Sequence, residues 1–386
     1  MRLNEHRGSF DEEQDIKFCR FASEPHMAVV ETEHEAHDDH HDHGEFIAHH
    51  FDSAEQQFDS GKLGIWLFLV TEVLFFSGLF VAYTLYRVLH PEIFDQAHVF
   101  LDKYLGFANT LVLLFSSLTM ALAVRYAQLG KNRHVVWYVL GTMICASAFL
   151  GVKAVEYTHK WDQGILVRSA FDYHAGHHEA PAGTLAHSLG VSEYLVWFSL
   201  IPAILVVGFA VFTAIAKLTD KPNASFFSAC MAITVGGYFI GAAGGHFYME
   251  VTDGGIGGRS AEAASMMAYE NETHTDHEHT TKPADHHDES AVDQQHAESE
   301  IAPYKGPQSN EFDQDIGIFF SIYYCMTGLH GIHIVAGIAF LAWILWRSII
   351  GHWRSDYFGP VDYVGLYWHL VDLIWIYLFP LLYLID

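Results

Sequence analysis

The stretch "LYWHLVDLIWIYLF", residues 366–379, decides the fold. It would pass for the middle of a membrane span, except that His369 and Asp372 sit near its centre. An ionisable side chain in hydrocarbon costs a few kcal/mol at least, so both must face protein, water or a partner rather than lipid tails. The rest of the chain has to supply what they face.

Apolar residues make up 51% of the 386 residues and aromatics 15%, yet the mean hydropathy is only +0.15. Strongly apolar blocks must therefore alternate with strongly polar ones, which is a membrane-protein profile. The net charge of −26 comes mainly from residues 11–59 and 250–315, outside the apolar blocks. The cysteines (Cys19, Cys145, Cys230, Cys325) are scattered, three of them in apolar runs, and imply neither a disulfide framework nor a zinc motif. The first sixty residues lack a basic segment followed by an apolar one, so no cleaved signal peptide is expected and the first span serves as the insertion signal.

A helix crossing about 30 Å of hydrocarbon needs roughly 20 apolar residues. Seven blocks qualify, at 63–87, 105–128, 134–157, 192–216, 225–248, 316–346 and 363–385. The expected fold is all-α, a polytopic bundle of seven transmembrane helices. Arg125, Lys131 and Arg133 flank one short connection, Lys217 and Lys221 another, Arg347 and Arg354 a third. All three follow even-numbered spans, and basic connections stay cytoplasmic. The N-terminus is thus expected in the cytoplasm and the C-terminus outside. Residues 31–50 and 270–300 are acidic, His-rich and of low complexity, and read as unfolded. A loose metal-binding role is conceivable for their histidines, but with no ligand spacing a solvated tail is preferred.

Within the spans, Glu72 lies about 14 Å from the cytoplasmic end of the first, counting 1.5 Å per residue. Asp372 falls at similar depth in the last. A carboxyl group among Leu, Phe and Val is expected to keep its proton and act as a hydrogen-bonded packing residue. Thr327, His330 and His333 are spaced to share broadly one face of the sixth span, with Gly328, Gly331 and Gly337 allowing close helix approach. His369 and Asp372 are three apart on the seventh. Lys153 and Glu156 form an i,i+3 pair near the outer end of the third, where Lys153 is free to snorkel. Haem would need axial His, and a di-iron bundle Glu-x-x-His pairs on facing helices. No complete ligand set is evident, so interhelical hydrogen bonding is the preferred role of the histidines.

Several stretches resemble one family, subunit III of the haem-copper oxidases. "WLFLVTEVLFFSGLF" is similar to the family's Glu-bearing helix, here with Glu72. "ANTLVLLFSSLTMALAV" resembles the helix that follows, and "GVKAVEYTH" the end of the next, with Glu156. "TGLHGIHIVAG" resembles the Thr-Gly-x-His-Gly-x-His signature through Thr327, Gly328, His330, Gly331 and His333. "YWHLVDLIWIYLF" resembles the final helix through Tyr367, Trp368, His369, Asp372 and Trp375. The resemblance covers about residues 60–160 and 316–386, or five of the seven spans. The chain then divides into a polar tail (1–62), family-like helices one to three (63–157), an insert with two helices and a His-rich loop (158–315), and family-like helices six and seven (316–386).

The resemblance implies a non-catalytic subunit of a cytochrome c oxidase, a proton-translocating oxidoreductase of aerobic electron transport in a bacterial-type plasma membrane. It implies no catalytic residue, metal ligand or redox cofactor here, since haem and copper belong to partner subunit I, in a complex that also holds subunit II. The role implied is support of proton uptake and of subunit I stability, with bound phospholipid and no nucleic acid. Glu72, Glu156, His330, His333, His369 and Asp372 are its proton- or lipid-related residues. Arg347 and His352 resemble positions near lipid headgroups, where an Arg binds phosphate through paired hydrogen bonds. Many members carry two further helices before the Glu-bearing one, where this chain has only a polar tail. The two inserted helices have no counterpart, and their glycines (Gly208, Gly236, Gly237, Gly241, Gly244, Gly245) are expected to form packing surfaces.

Other readings are an independent proton or cation channel, a subunit of a quinol oxidase or a nitric-oxide-reductase-associated complex, and a metal-handling membrane protein. The polar residues form one layer rather than a relay or charged ring, which argues against the channel. Only the His-rich segments favour metal handling.

Overall fold

The computed structural model describes residues 51, 53–167, 184, 187, 191–276, 309–355 and 357–385, with side chains except at 96, 99, 253–276 and 309–315. The His-rich segment 31–50 and residues 277–300 lie outside the described residues. The helices are α1 (Ala54–Leu89), α2 (Pro91–Ala97), α3 (Lys103–Gln128), α4 (Asn132–Asp162), α5 (Glu193–Leu218), α6 (Pro222–Asp276), α7 (Ser309–Ile349) and α8 (Gly359–Tyr383), with a 3₁₀ turn at His98–Phe100. Seven are long and apolar enough to cross a membrane: α1, α3, α4, α5, α6 over Pro222–Thr252, α7 over Ile316–Ile349, and α8. The protein is an all-α polytopic bundle and an integral membrane protein.

Polar caps and sharp turns set the helix bounds. Ser53 begins α1 by accepting the Gln56 N–H at 3.1 Å, and Asp102 begins α3 by accepting those of Tyr104 and Leu105. Such caps satisfy amide groups that have no partner within the helix. This is why α1 starts at Ala54, before the apolar run itself. At the end of α3, Gly130 takes φ 67° and the Lys131 N–H reaches back to the Tyr126 carbonyl at 3.0 Å, a Schellman closure. The α5 end closes likewise through Asp220, the one described non-glycine with positive φ. Helix α6 runs on to Asp276, so residues 270–276 of the segment expected to be unfolded are helical. The run "AEAASMMAYENE" (261–272) is rich in the strong helix formers Ala, Glu and Met, which outweighs its polarity.

Helices α3, α4, α7 and α8 enclose the main core, with α1 laid along α8 and the α5–α6 hairpin laid along α4. The bundle is tied by side-chain to main-chain bonds: the Tyr83 hydroxyl donates to the Leu381 carbonyl, and that of Tyr363 to Phe58 O at 2.8 Å. At the basic end, Asn132 at the start of α4 pairs with both backbone groups of Trp353 in the α7–α8 connection. Close helix contact depends on missing side chains. Gly337 lies under the Trp368 ring, and Gly237 and Gly241 lie on the α4 backbone at Ile144 and Ala148. Gly151 of α4 meets the Tyr238 carbonyl in return. Gly245 touches Val152 and Val155, whereas Gly208, Gly236 and Gly244 have open space around them. The inserted helices therefore pack on the bundle through half of the expected glycines.

Candidate functional site

Among the described residues, three of the polar groups inside the bundle hold the ionisable side chains, at different helix interfaces. The first joins α4, α7 and α8. Glu156 Oε2 accepts from Lys153 Nζ at 2.8 Å, and Oε1 accepts from Lys160 Nζ at 2.9 Å, from the Tyr323 hydroxyl at 2.7 Å and from the Tyr383 hydroxyl at 2.6 Å. A carboxylate only accepts, and this one takes four donors, three of them on Oε1. Lys153 fills its other donor directions with the Tyr383 and Tyr323 hydroxyls at 2.6 and 3.3 Å, and its ammonium sits 4.7 Å from the Trp375 ring centre. All five polar side chains are buried. Lys153 thus does not snorkel: the carboxylate and two hydroxyls repay its desolvation better than a reach to the interface.

The second group joins α1 to α7. His333 Nε2 lies 2.9 Å from Glu72 Oε2, while His333 Nδ1 lies 2.8 Å from the Leu329 carbonyl. That carbonyl can only accept, so Nδ1 carries hydrogen and the Nε2–Oε2 contact shares one proton between imidazole and carboxyl. The pair is electrically neutral whichever atom holds it. Both side chains are under one-fifth exposed, the Phe76 ring stands edge-on to the imidazole, and the Tyr367 hydroxyl donates to the His333 carbonyl at 2.9 Å. Glu72 is hydrogen-bonded, as expected of a packing residue, and its partner is a base.

The third group joins α3 to α8 and gives the opening stretch its answer. His369 Nδ1 is 2.6 Å from Ser117 Oγ, Trp368 Nε1 donates to Ser116 Oγ at 3.1 Å, and Trp375 Nε1 donates to Thr110 Oγ1 at 3.0 Å. Asp372 is buried, but neither of its oxygens has a hydrogen-bond partner among the described residues. His330 is the same: it stacks on Trp375 with ring centres 5.3 Å apart and meets the edge of Phe149, with both nitrogens unpartnered. Of the residues expected to bond across helices, His333 and His369 do so, His330 has no partner among the described residues, and Asp372 lies beside the Ser116 and Ser117 hydroxyls. His330 packs against α4 and α8 while His333 reaches α1. Three residues apart on an α-helix leaves about 60° between the two side-chain directions, so neighbours on one broad face meet different helices.

Arg347 lies over the Trp343 ring at 5.7 Å, and His352 follows in the α7–α8 connection, its N–H bonded to the Arg347 carbonyl at 3.0 Å. Among the described residues no three His, Cys, Asp or Glu side chains come together as a metal-binding group. Sequence reading missed Lys160, Tyr323, Tyr383 and Ser117. Lys160 was legible, since "KAVEYTHK" (153–160) places lysines at i−3 and i+4 of Glu156 on one helix face. The tyrosines arrive from other helices and leave no local signal.

Comparison with known proteins falls on α7 and α8. The family described as "Cytochrome c oxidase subunit III" matches residues 307–386. The cytochrome c oxidase subunit 3 of Thermostichus vulcanus is 42% identical over 70 residues, covering 18% of this chain and 35% of that protein. That of Synechocystis sp. is 46% identical over 70 residues, 18% and 30%, and that of Danio rerio 36% over 67 residues, 17% and 26%. The chain thus spans between about a quarter and a third of the length of these relatives. No solved structure matches. The resemblance seen at residues 60–160 lies outside the matched segment, whereas the His330–His333 and His369–Asp372 motifs lie within it. Residues 307–386, which carry α7 and α8, are therefore similar to the cytochrome c oxidase subunit III family.

Proposed function

We propose that the chain is a subunit III-type accessory subunit of a haem-copper terminal oxidase, packed against catalytic subunit I in a complex that includes subunit II. The observation that carries this is the family match on the two helices bearing His330, His333, His369 and Asp372, together with the use of their neighbours for packing. Trp368, Trp375, Tyr367 and His369 spend their polar atoms on bundle contacts. In this reading the chain carries no haem or copper, both belonging to subunit I, and it supports proton uptake and the durability of oxygen reduction.

The Glu72–His333 pair, partly exposed on the lipid side, borders bound phospholipid, and Arg347 with His352 lies at headgroup level. The basic connections face the cytoplasm of a bacterial-type plasma membrane, with the C-terminus outside. The proposal applies equally to a cytochrome c or a quinol donor. Oxygen consumption by the purified oxidase with and without this chain tests it. The expected result is an unchanged initial rate and a faster loss of activity during turnover when the chain is absent. Identical time courses would refute the supporting role.

A further inference from the structure

Helices α3 and α8 run antiparallel in close contact, with Gly106 against Phe379 and Tyr383 at one end and Gly365 against Val124 at the other. Between these ends His369 Nδ1 meets Ser117 Oγ. The other nitrogen, Nε2, has no partner among the described residues, and unlike the nitrogens of His330 it is not sealed inside the chain. The ring is partly exposed, ten residues into α8, or about 15 Å from its start at 1.5 Å per residue. About two turns further along the same side of α8, Tyr377 is 59% exposed and its hydroxyl has no partner among the described residues. Leu373 and Ile376 stand between them, and Leu111, Leu114 and Leu118 line the adjoining stripe of α3, all exposed.

Polar side chains on the other exposed faces are satisfied within the chain. On α1, Thr71, Ser77 and Thr84 donate to carbonyls of their own helix at 2.6–2.8 Å, and Glu72 meets His333. On α5, Thr213 donates to the Phe209 carbonyl. Those faces suit lipid tails. The α3–α8 face does not, because hydrocarbon offers neither donor nor acceptor and an intramembrane histidine is held by a polar partner. Its bond to Ser117 also keeps the ring from reaching the headgroups. We propose that this face is the docking surface for a transmembrane helix of a partner subunit, which brings a hydroxyl, amide or carboxyl side chain to His369 Nε2. Each of those groups can complement either tautomer of the imidazole. The proposal rests on the accessory-subunit reading and names the face through which the chain joins its complex.

A photoreactive benzophenone amino acid in place of Leu373, activated in the cell's own membranes and mapped by mass spectrometry, tests this. The expected cross-link falls on one transmembrane segment of another chain, within a turn of a hydroxyl, amide or carboxyl side chain. Cross-linking to lipid alone, or only to a second copy of this chain, overturns the proposal. His369→Leu, which keeps the apolar contact, is expected to raise the dissociation constant of the solubilised complex roughly fivefold, the equivalent of the ~1 kcal/mol a hydrogen bond between transmembrane helices contributes. His369→Gln should restore most of that loss. Equal retention of the partner in wild type and His369→Leu also overturns it. Haem absorption separates this from the reading beneath it. A mapped partner in a complex without haem sinks the oxidase reading and leaves the docking surface, whereas a haem protein that co-purifies while the probe meets only lipid does the reverse.

Discussion

Replacing Glu156 with Leu removes the acceptor of four buried donors at once. Among the described residues, Lys160 is left with only the Tyr323 ring at 5.4 Å, and Lys153 keeps only tyrosine hydroxyls and aromatic faces. Breaking a buried ion pair by removing one partner costs about 3–5 kcal/mol. Single hydrogen bonds to charged groups contribute roughly 1.5–3 kcal/mol each, though not additively. The expected loss for Glu156→Leu is therefore ~3–5 kcal/mol, or roughly two to four powers of ten in the folding equilibrium. Equilibrium denaturation of the full chain in one detergent, followed by tryptophan fluorescence and circular dichroism, measures it. The triple variant Lys153→Met, Glu156→Leu, Lys160→Met removes all three charges at similar volume, and should recover to within about 1 kcal/mol of wild type, because well-packed apolar residues replace buried ion pairs at little cost. Tyr323 and Tyr383, whose hydroxyls are 3.3 Å apart, can then bond each other. A single-variant loss under ~1 kcal/mol, typical of exposed pairs, would refute the reasoning. So would a triple variant as unstable as the single one.

Glu72→Gln should leave stability within about 1 kcal/mol, since an amide N–H can donate to His333 Nε2, whereas Glu72→Ala should cost about 1–3 kcal/mol by orphaning the imidazole; the reverse order in melting temperatures would disprove the shared-proton pair. Gly241→Leu should split α6 from α4, because a side chain there meets the Ala148 backbone, while Gly244→Leu projects into open space. Cysteine cross-linking between α4 and α6 distinguishes the two, and equal loss in both would contradict the packing. The isolated chain should have no visible absorption band, and a stoichiometric haem retained after removal of every partner would contradict the proposed division of labour.

The seven spans were legible because hydropathy is a local property, and the basic turns because they are short. What lay beyond reach was helix rotation. Glu72 and His333 are 261 positions apart, and only the angle at which α1 meets α7 makes them a pair. The rotation of α7 against α8 likewise decides that His330 meets Trp375. Lys153 and Glu156 could be paired by spacing alone, but their burial rests on Tyr323 and Tyr383 arriving from α7 and α8. The early start of α1 and the long run of α6 escaped a purely apolar reading, since caps and Ala-rich polar turns extend helices past the hydrophobic block. The glycines of the insert announced close packing without saying which of them would touch α4.

Mild-detergent purification of the full chain through an added affinity tag, from its own membranes, tests membership of an oxidase most directly. The account predicts that a haem protein co-elutes in constant proportion to the chain, with haem absorption and oxygen-reducing activity in the same fraction. A chain that elutes free of haem as a homo-oligomer, and conducts protons or cations when reconstituted in vesicles, would contradict it.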